Sequence, residues 1–145
     1  MWINKQEAQS SEIPMPRLLV VDDEESICFS MSEYFSLHGF KVDTACEIEE
    51  AEKLLEAQDY KVIIQDLHLG TAPTADGLDI IKLIKNQNLS SKIIVLTAYG
   101  SAEVEEEAKR YGADVFLRKP KPLSQVAQIV EGLVELRSKE AVGPP

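Results

Sequence analysis

The amino-acid sequence predicts an α/β fold in which a doubly wound, five-stranded parallel sheet is covered by five helices. Short apolar runs alternate along the 145 residues with segments that repeat apolar side chains at helical spacing. The apolar runs are continuous, as expected of strands that are covered on both faces. Each strand and its following helix take roughly 20–25 residues, which suits a compact fold with right-handed crossovers.

Five apolar runs rich in β-branched residues predict the strands. The clearest are Leu-Leu-Val-Val at 18–21 and Ile-Ile-Val-Leu at 93–96, and the weakest is 41–45. The runs at 62–64 and 115–117 are shorter. The regular alternation of these runs with helical segments favours a parallel sheet.

Four of the five helices are predicted from apolar stripes: Ile27, Met31 and Phe35; Ile48, Ala51, Leu54 and Leu55; Leu78, Ile81, Leu83 and Ile84; and Val126, Ile129, Val130, Leu133 and Val134. The first of these covers 24–38, and Gly39 follows it as a C-terminal cap. The fourth helix is predicted from its ends instead. Ser101 is a good N-cap, Gly112 ends the helix, and acidic and basic residues complement the two ends of its dipole.

The length fits one domain that is long enough to bury a core. We expect this domain to span 17–137. It follows an N-terminal extension at 1–16, which contains Pro14 and Pro16, and it precedes a flexible tail at 138–145.

The composition excludes several classes of protein. An apolar fraction of 44% argues against disorder, and Cys28 and Cys46 are too few for a disulfide framework, so we expect both to be reduced. No apolar run is long enough to cross a membrane and no secretory signal is visible, which favours a cytoplasmic protein. The formal net charge of −10 opposes direct binding to nucleic acid.

Polar side chains follow four of the predicted strands. Asp22 and Asp23 come directly after the first strand, Asp66 follows the third, Thr97 ends the fourth and Lys119 follows the fifth. Because ligands of doubly wound sheets bind outside the carboxyl ends of the strands, we expect these side chains to converge on one edge. Clustered carboxylates suit a hard cation such as Mg²⁺, and lysine and threonine suit phosphoryl oxygens. The set therefore has the parts for phosphoryl transfer to a carboxylate.

Each of these residues also has a simpler interpretation. Asp22 and Asp23 can be acidic residues that favour the N-terminus of a helix, and Asp66 can be a turn residue. The Lys119-Pro120 pair can end a strand in a plain turn. The joint occurrence of all the groups favours a site over these separate explanations.

Four segments carry a resemblance to a known family. They are LLVVDDEES at 18–26, VIIQDL at 62–67, IIVLTAYGS at 93–101 and GADVFLRKP at 112–120. In their order and spacing the chain resembles the receiver domain of two-component response regulators, and in particular the receivers of nitrogen-regulator-type activators. The resemblance covers about 17–137 and implies a flavodoxin-like topology with strand order 2-1-3-4-5.

The resemblance implies a role for each motif residue. Asp66 is the acceptor of a phosphoryl group from a histidine kinase. Asp22, Asp23, Asp66 and the backbone carbonyl of His68 hold Mg²⁺. Lys119 contacts the acceptor or its phosphoryl oxygens.

Three further residues are implied to act in a conformational switch or to shape the site. Thr97 moves to bond the phosphoryl group, and Phe116, which can also be a plain core residue, turns inward when the threonine moves. The peptide bond before Pro120 is implied to be cis. These changes alter the face formed by the fourth helix, fifth strand and fifth helix, where a partner or a second copy of the chain binds.

The sequence departs from the family pattern in the loop after the acceptor. Gly70 stands where a proline is usual, and the loop that follows is longer than usual. Gln65 replaces an apolar or acidic residue, and Lys121 replaces a phenylalanine. His68, whose side chain we expect to be exposed, and Tyr99 flank the path of the attacking water, so we expect them to slow or tune loss of the phosphoryl group.

The predicted function is a phosphorylation switch rather than a turnover enzyme. Its partners are a sensor histidine kinase or phosphotransfer protein, and a downstream effector or an output domain absent from this chain. The alternative is a degenerate receiver that binds its partners without phosphorylation. A phosphatase of the haloacid dehalogenase type is disfavoured, because it needs a carboxylate where His68 stands.

Overall fold

The computed structural model describes residues 15–69, 74–87 and 90–142. Its five strands are β1 (Arg17–Val21), β2 (Lys41–Ala45), β3 (Val62–Gln65), β4 (Lys92–Thr97) and β5 (Val115–Arg118). They form one parallel sheet in the order β2-β1-β3-β4-β5. The predicted fold class and strand order are confirmed.

The five helices are α1 (Glu25–Leu37), α2 (Ile48–Ala57), α3 (Thr74–Gln87), α4 (Ala102–Tyr111) and α5 (Leu123–Val142). The last helix runs five residues beyond 137, where the sequence placed the end of the domain, because no glycine or proline interrupts 138–142. The residues at 1–14 and 143–145, and the loop at 70–73 with Gly70, lie outside the described residues.

Two apolar layers cover the sheet. On one face α1 and α5 pack against alternate strand residues, with Phe35, Met31, Val126 and Val130 buried among them. On the other face α2, α3 and α4 pack against the intervening strand residues. Both faces of the sheet are therefore buried, which is why the strands read as continuous apolar runs.

The helix ends follow the capping residues. Gly39 has a φ of 92°, and the N–H of Phe40 donates to the carbonyl of Phe35 at 3.0 Å. Gly112, with a φ of 128°, ends α4 in the same way. The Ser101 hydroxyl accepts a hydrogen bond from the third residue of α4 at 3.2 Å. The three predicted caps are confirmed.

Backbone pairing continues past the strand ends and positions the site. The N–H of Asp22 donates to the carbonyl of Ala45 at 3.0 Å, and that of Asp66 donates to Val21 at 2.9 Å. The two carboxylates therefore leave adjacent strands at the same level of the sheet. Among the described residues, no helix is long and apolar enough to cross a membrane.

Candidate functional site

The ammonium group of Lys119 lies at the centre of the site. Its Nζ is 2.8 Å from Oδ2 of Asp22, 3.1 Å from Oδ2 of Asp66 and 3.3 Å from Oε1 of Glu24. The side chains of Asp22 and Asp66 are only 4% and 5% exposed, and that of Lys119 is 13% exposed. One cation thus joins the carboxyl ends of β1, β3 and β5.

The second oxygen of each buried carboxylate is held by the backbone. Oδ1 of Asp22 accepts a hydrogen bond from the N–H of Glu24 at 2.9 Å, and Oδ1 of Asp66 accepts one from the N–H of His68 at 3.1 Å. Such bonds to the residue two positions on are typical of aspartate in turns. The orientation of both carboxylates is therefore fixed before any ligand binds.

Burial and charge compete at the centre of the site. Burial raises the pKa of Asp22 above its ordinary value of 3.8, although the hydrogen bond from Lys119 opposes the shift. Burial lowers the pKa of Lys119, but its hydrogen bonds and charge interactions with Asp22 and Asp66 more than offset this, so the net shift is upward. Lys119 consequently stays charged at neutral pH.

Three carboxylates at this edge could hold a cation. Asp22, Asp23 and Asp66 each offer one oxygen, and these oxygens lie within 4.8 Å of one another. Asp23 is the least buried of the three. Carboxylate oxygens are preferred ligands of hard divalent cations. The negative charge of three neighbouring carboxylates also favours binding of such a cation.

Thr97 lies beside the carboxylates at the end of β4. Its side chain is fully buried, and its hydroxyl accepts a hydrogen bond from the N–H of Tyr99 at 3.2 Å. The N–H of Lys119 donates to the carbonyl of Thr97 at 2.9 Å. A backbone hydrogen bond thus joins the end of β4, which carries the hydroxyl, to the end of β5, which precedes the lysine.

Phe116 lies inward, beneath the loop that follows β4. A methyl group built on Gly100 would come within 2.7 Å of the Phe116 ring. The guanidinium of Arg118 lies 5.2 Å from the centre of the same ring, and its Nε donates to the carbonyl of Gly100 at 2.9 Å. Arg118 also pairs with Glu105 of α4 at 3.0 Å. A continuous set of contacts therefore leads from the loop to the outer surface of α4.

The side chains of His68 and Tyr99 form one rim of the site. Their ring centroids are 4.6 Å apart. His68 is half-buried rather than exposed as the sequence predicted, because its ring lies against that of Tyr99. Tyr99 itself is 58% exposed.

Gln65, which departs from the family pattern, links β3 to α3. Its side chain is fully buried, and its Nε2 donates to the carbonyl of Gly77 at 2.6 Å. Its Oε1 has no hydrogen-bond partner among the described residues. The residue before Asp66 is therefore anchored to the first half of α3.

The structure brings together Asp22, Asp23, Asp66 and Lys119, places Thr97 at the neighbouring end of β4, and has a cis Lys119-Pro120 peptide bond. The sequence did not predict the hydrogen bond that Lys119 donates to Glu24, nor the contacts that Gly100 and Arg118 make around Phe116. Glu24 directly follows the aspartate pair, and Arg118 directly precedes Lys119. Their positions next to predicted site residues in the sequence could have indicated both.

Comparison with known proteins establishes the family. Residues 18–131 match the response regulator receiver domain. The chain belongs to this family. The response regulator protein PilR of Pseudomonas aeruginosa is 31% identical over 131 residues, which are 89% of this chain and 28% of PilR. The chain also spans less than two thirds of the other curated relatives considered, so the receiver corresponds to a part of such proteins.

Solved structures support the same assignment. A response regulator from Burkholderia pseudomallei, solved with a phosphorylated aspartic acid, a calcium ion and citrate, is 30% identical. Its match has a TM-score of 0.75 and covers 90% of this receiver and 75% of that chain. The beryllofluoride-activated NtrC4 receiver domain dimer is 36% identical, with a TM-score of 0.75 over 83% of this receiver and 98% of that chain.

Proposed function

We propose that this receiver is a phosphorylation switch in which Asp66 accepts a phosphoryl group from the phosphohistidine of a histidine kinase or phosphotransfer protein, with Mg²⁺ bound. The observation that carries the proposal is the position of the Lys119 ammonium, which bonds the buried carboxylates of Asp22 and Asp66 at once. A carboxylate that accepts a phosphoryl group gains negative charge, and a cation held beside it stabilises that charge.

The proposed transfer forms one bond and breaks one. A carboxylate oxygen of Asp66 attacks the phosphorus, and the P–N bond to the donor imidazole breaks with its electron pair leaving on the nitrogen. Lys119 lies within bonding distance of Asp66 and stays charged, so it can stabilise the charge carried by the phosphoryl oxygens. The backbone N–H of His68 holds the acceptor carboxylate in place.

Mg²⁺ is the cation we propose, because its preferred ligands are the oxygens that this edge supplies. Asp22, Asp23 and Asp66 would hold it, together with the backbone carbonyl of His68. When bound it would neutralise charge on the transferring phosphoryl oxygens.

The proposed output is a change at the face formed by α4, β5 and α5. A phosphoryl group at Asp66 would attract the Thr97 hydroxyl away from the N–H of Tyr99, which it now bonds at 3.2 Å. The loop would shift with it, and Gly100 touches the inward ring of Phe116. The phosphoryl group would shift the population between two existing conformations. In one the Thr97 hydroxyl bonds the N–H of Tyr99, and in the other it bonds the phosphoryl group.

We further propose that the protein works in the cytoplasm and is an acceptor rather than a turnover enzyme. Its partners would be the kinase and either a downstream effector or an output segment, without direct contact to nucleic acid. Two copies would pair through the same face. The NtrC4 receiver was solved as a beryllofluoride-activated dimer, which supports pairing as such.

The test is phosphorylation of the receiver by a small acyl phosphate with Mg²⁺, followed over time by intact mass. We expect a gain of one phosphoryl group that disappears in Asp66→Asn and after chelation of the metal. Asp59→Asn is the matched control, because Asp59 is an exposed aspartate outside the site.

Beryllofluoride separates the remaining outcomes. Without phosphoryl gain, binding of beryllofluoride in the presence of Mg²⁺ would leave Asp66 as a competent acceptor that needs its own donor. Neither phosphoryl gain nor beryllofluoride binding would overturn the proposal in favour of a degenerate receiver that binds partners without phosphorylation.

A further inference from the structure

The two cysteines come together at the carboxyl edge of the sheet, although they belong to different elements. Cys28 lies in α1, and its Sγ donates to the backbone carbonyl of Asp22 at 3.2 Å. Cys46 directly follows Ala45, whose carbonyl accepts a hydrogen bond from the N–H of Asp22 at 3.0 Å. Both cysteines therefore lie close to Asp22 at the end of β1.

The two thiols line the same cavity, pack in the same apolar cluster and differ in access. Both are free. Cys28 is 5% exposed and Cys46 is half-buried. Both line a surface cavity of about 310 Å³ whose other walls include Thr44 and Phe29. Cys46 is the more exposed of the two, so a small oxidant that enters this cavity reaches its thiol more readily.

The surrounding backbone fixes this arrangement. The N–H of Cys46 donates to the carboxylate of Glu50 at 2.8 Å, which anchors the start of α2. Cys28 is anchored from the opposite side by its bond to Asp22. Hydrogen bonds to Asp22 and Glu50 therefore hold the two residues in place on the walls of one cavity.

We propose that Cys28 and Cys46 form a reversible oxidation site, in which hydrogen peroxide converts the thiol pair into an intramolecular disulfide. The Cys46 sulfur attacks a peroxide oxygen, the O–O bond breaks and one water leaves, giving a sulfenic acid. The Cys28 sulfur then displaces the hydroxyl as a second water. The sulfurs lose two electrons in total, and the peroxide takes both electrons and both thiol protons.

Formation of the disulfide would change the hydrogen bonding of the Asp22 backbone. Forming it ties α1 to the start of α2 and removes the S–H donor from the Asp22 carbonyl. The site is separate from Asp66, so the proposal is independent of phosphoryl transfer and can be tested without it.

The experiment equilibrates the full chain with graded mixtures of reduced and oxidised glutathione, quenches in acid, alkylates free thiols and measures intact mass. We expect a species with both thiols unavailable and two hydrogens lost, mapped by peptide analysis to Cys28 and Cys46. Because the native fold holds the thiols together, the equilibrium should favour the disulfide at least about tenfold more than in urea. Hydrogen peroxide should give the same product, and dithiothreitol should reverse it.

Two variants provide the controls. Cys46→Ser and Cys28→Ser should each form only a mixed disulfide with glutathione, and the second keeps a hydroxyl donor for Asp22. If a variant loses its native circular dichroism, the wild-type comparison between native buffer and urea still decides. Two alkylated thiols at every ratio, linkage only between chains, or no preference for the native state would overturn the proposal.

Discussion

Lys119 is the residue on which the charge balance of the site depends. Its ammonium group bonds both buried carboxylates, those of Asp22 and Asp66. If it is removed, two acidic groups remain close together in a poorly solvated position. They must then either stay charged without a partner or take up protons, and both alternatives oppose folding at neutral pH.

We therefore expect Lys119→Ala to lower the free energy of unfolding by about 2 kcal/mol at neutral pH without metal. Urea unfolding followed by circular dichroism measures this loss. Mg²⁺ should recover more stability in the variant than in the wild type, since it supplies the missing positive charge. Lys121→Ala is the control, because Lys121 is exposed beside the site. Equal stability of the two variants would contradict the central role of Lys119.

His68 can be tested separately from the metal site, because its side chain and its backbone have different roles. The backbone N–H bonds Asp66, whereas the ring packs on Tyr99. A variant at this position changes the ring and keeps the backbone groups.

We expect His68→Ala to shorten the lifetime of the phosphoryl group by a few-fold, since loss of the ring opens the rim to water. The decay of the phosphorylated mass after removal of the donor measures this. His38→Ala is the matched control, because His38 stacks on Tyr34 away from the site. An unchanged lifetime in His68→Ala would exclude a role for this ring.

At the scale of elements, α3 approaches β3 through a glycine. A methyl group added to Gly77 would overlap backbone atoms of Leu67, which cannot move aside as a flexible side chain would. The buried amide of Gln65 bonds the carbonyl of the same glycine. Gly77 therefore sets how closely α3 packs against the residues around Asp66.

Gly77→Ala is expected to destabilise the fold by about 1–3 kcal/mol, since the helix must shift to admit the methyl group. Gly132→Ala, in the middle of α5, is expected to do the opposite by up to about 1 kcal/mol. Nothing lies within 4 Å of the added methyl there, and alanine favours a helix. Urea unfolding of the two variants measures the contrast. A loss of stability at both positions would show that close packing against Leu67 is not the cause.

The helix ends show how much of the secondary structure the local sequence pattern predicts. Gly39, Ser101 and Gly112 were identified as helix ends from residue type and position alone, because capping depends on groups a few residues apart. The domain was expected to end at 137, whereas α5 continues to Val142. A C-terminal boundary without glycine or proline carries no comparable signal.

For the whole molecule, the binding of a cation and the stability of the fold should be linked. The acidic cluster is organised in the folded chain from carboxylates on two strand ends, so an ion that binds there favours folding. The chain also carries a formal net charge of −10, so any salt screens repulsion between its acidic groups.

We expect Mg²⁺ at about a hundred times its dissociation constant to raise the free energy of unfolding by about 2.7 kcal/mol. Thermal unfolding with and without Mg²⁺ measures this, with sodium chloride at matched ionic strength as the control for screening. Asp66→Asn should lose most of the gain. Equal stabilisation by sodium chloride would show that Mg²⁺ acts only through screening.

The sequence by itself determined the fold class, the strand order through family resemblance, and the convergence of Asp22, Asp66, Thr97 and Lys119. The convergence follows from one rule, because residues at the carboxyl ends of parallel strands must meet at one edge whatever packs around them. Local spacing was enough to apply that rule.

Only the tertiary structure decided the contacts that reach that edge from a helix or a loop. The position of Cys28 and Cys46 on one cavity depends on where α1 lies on the sheet. The contact between Gly100 and Phe116 depends on the path of the loop after β4. The third bond of Lys119, to Glu24, depends on a side-chain rotamer. Such distances are set by the packing of the whole chain, and spacing along the sequence carries no record of them.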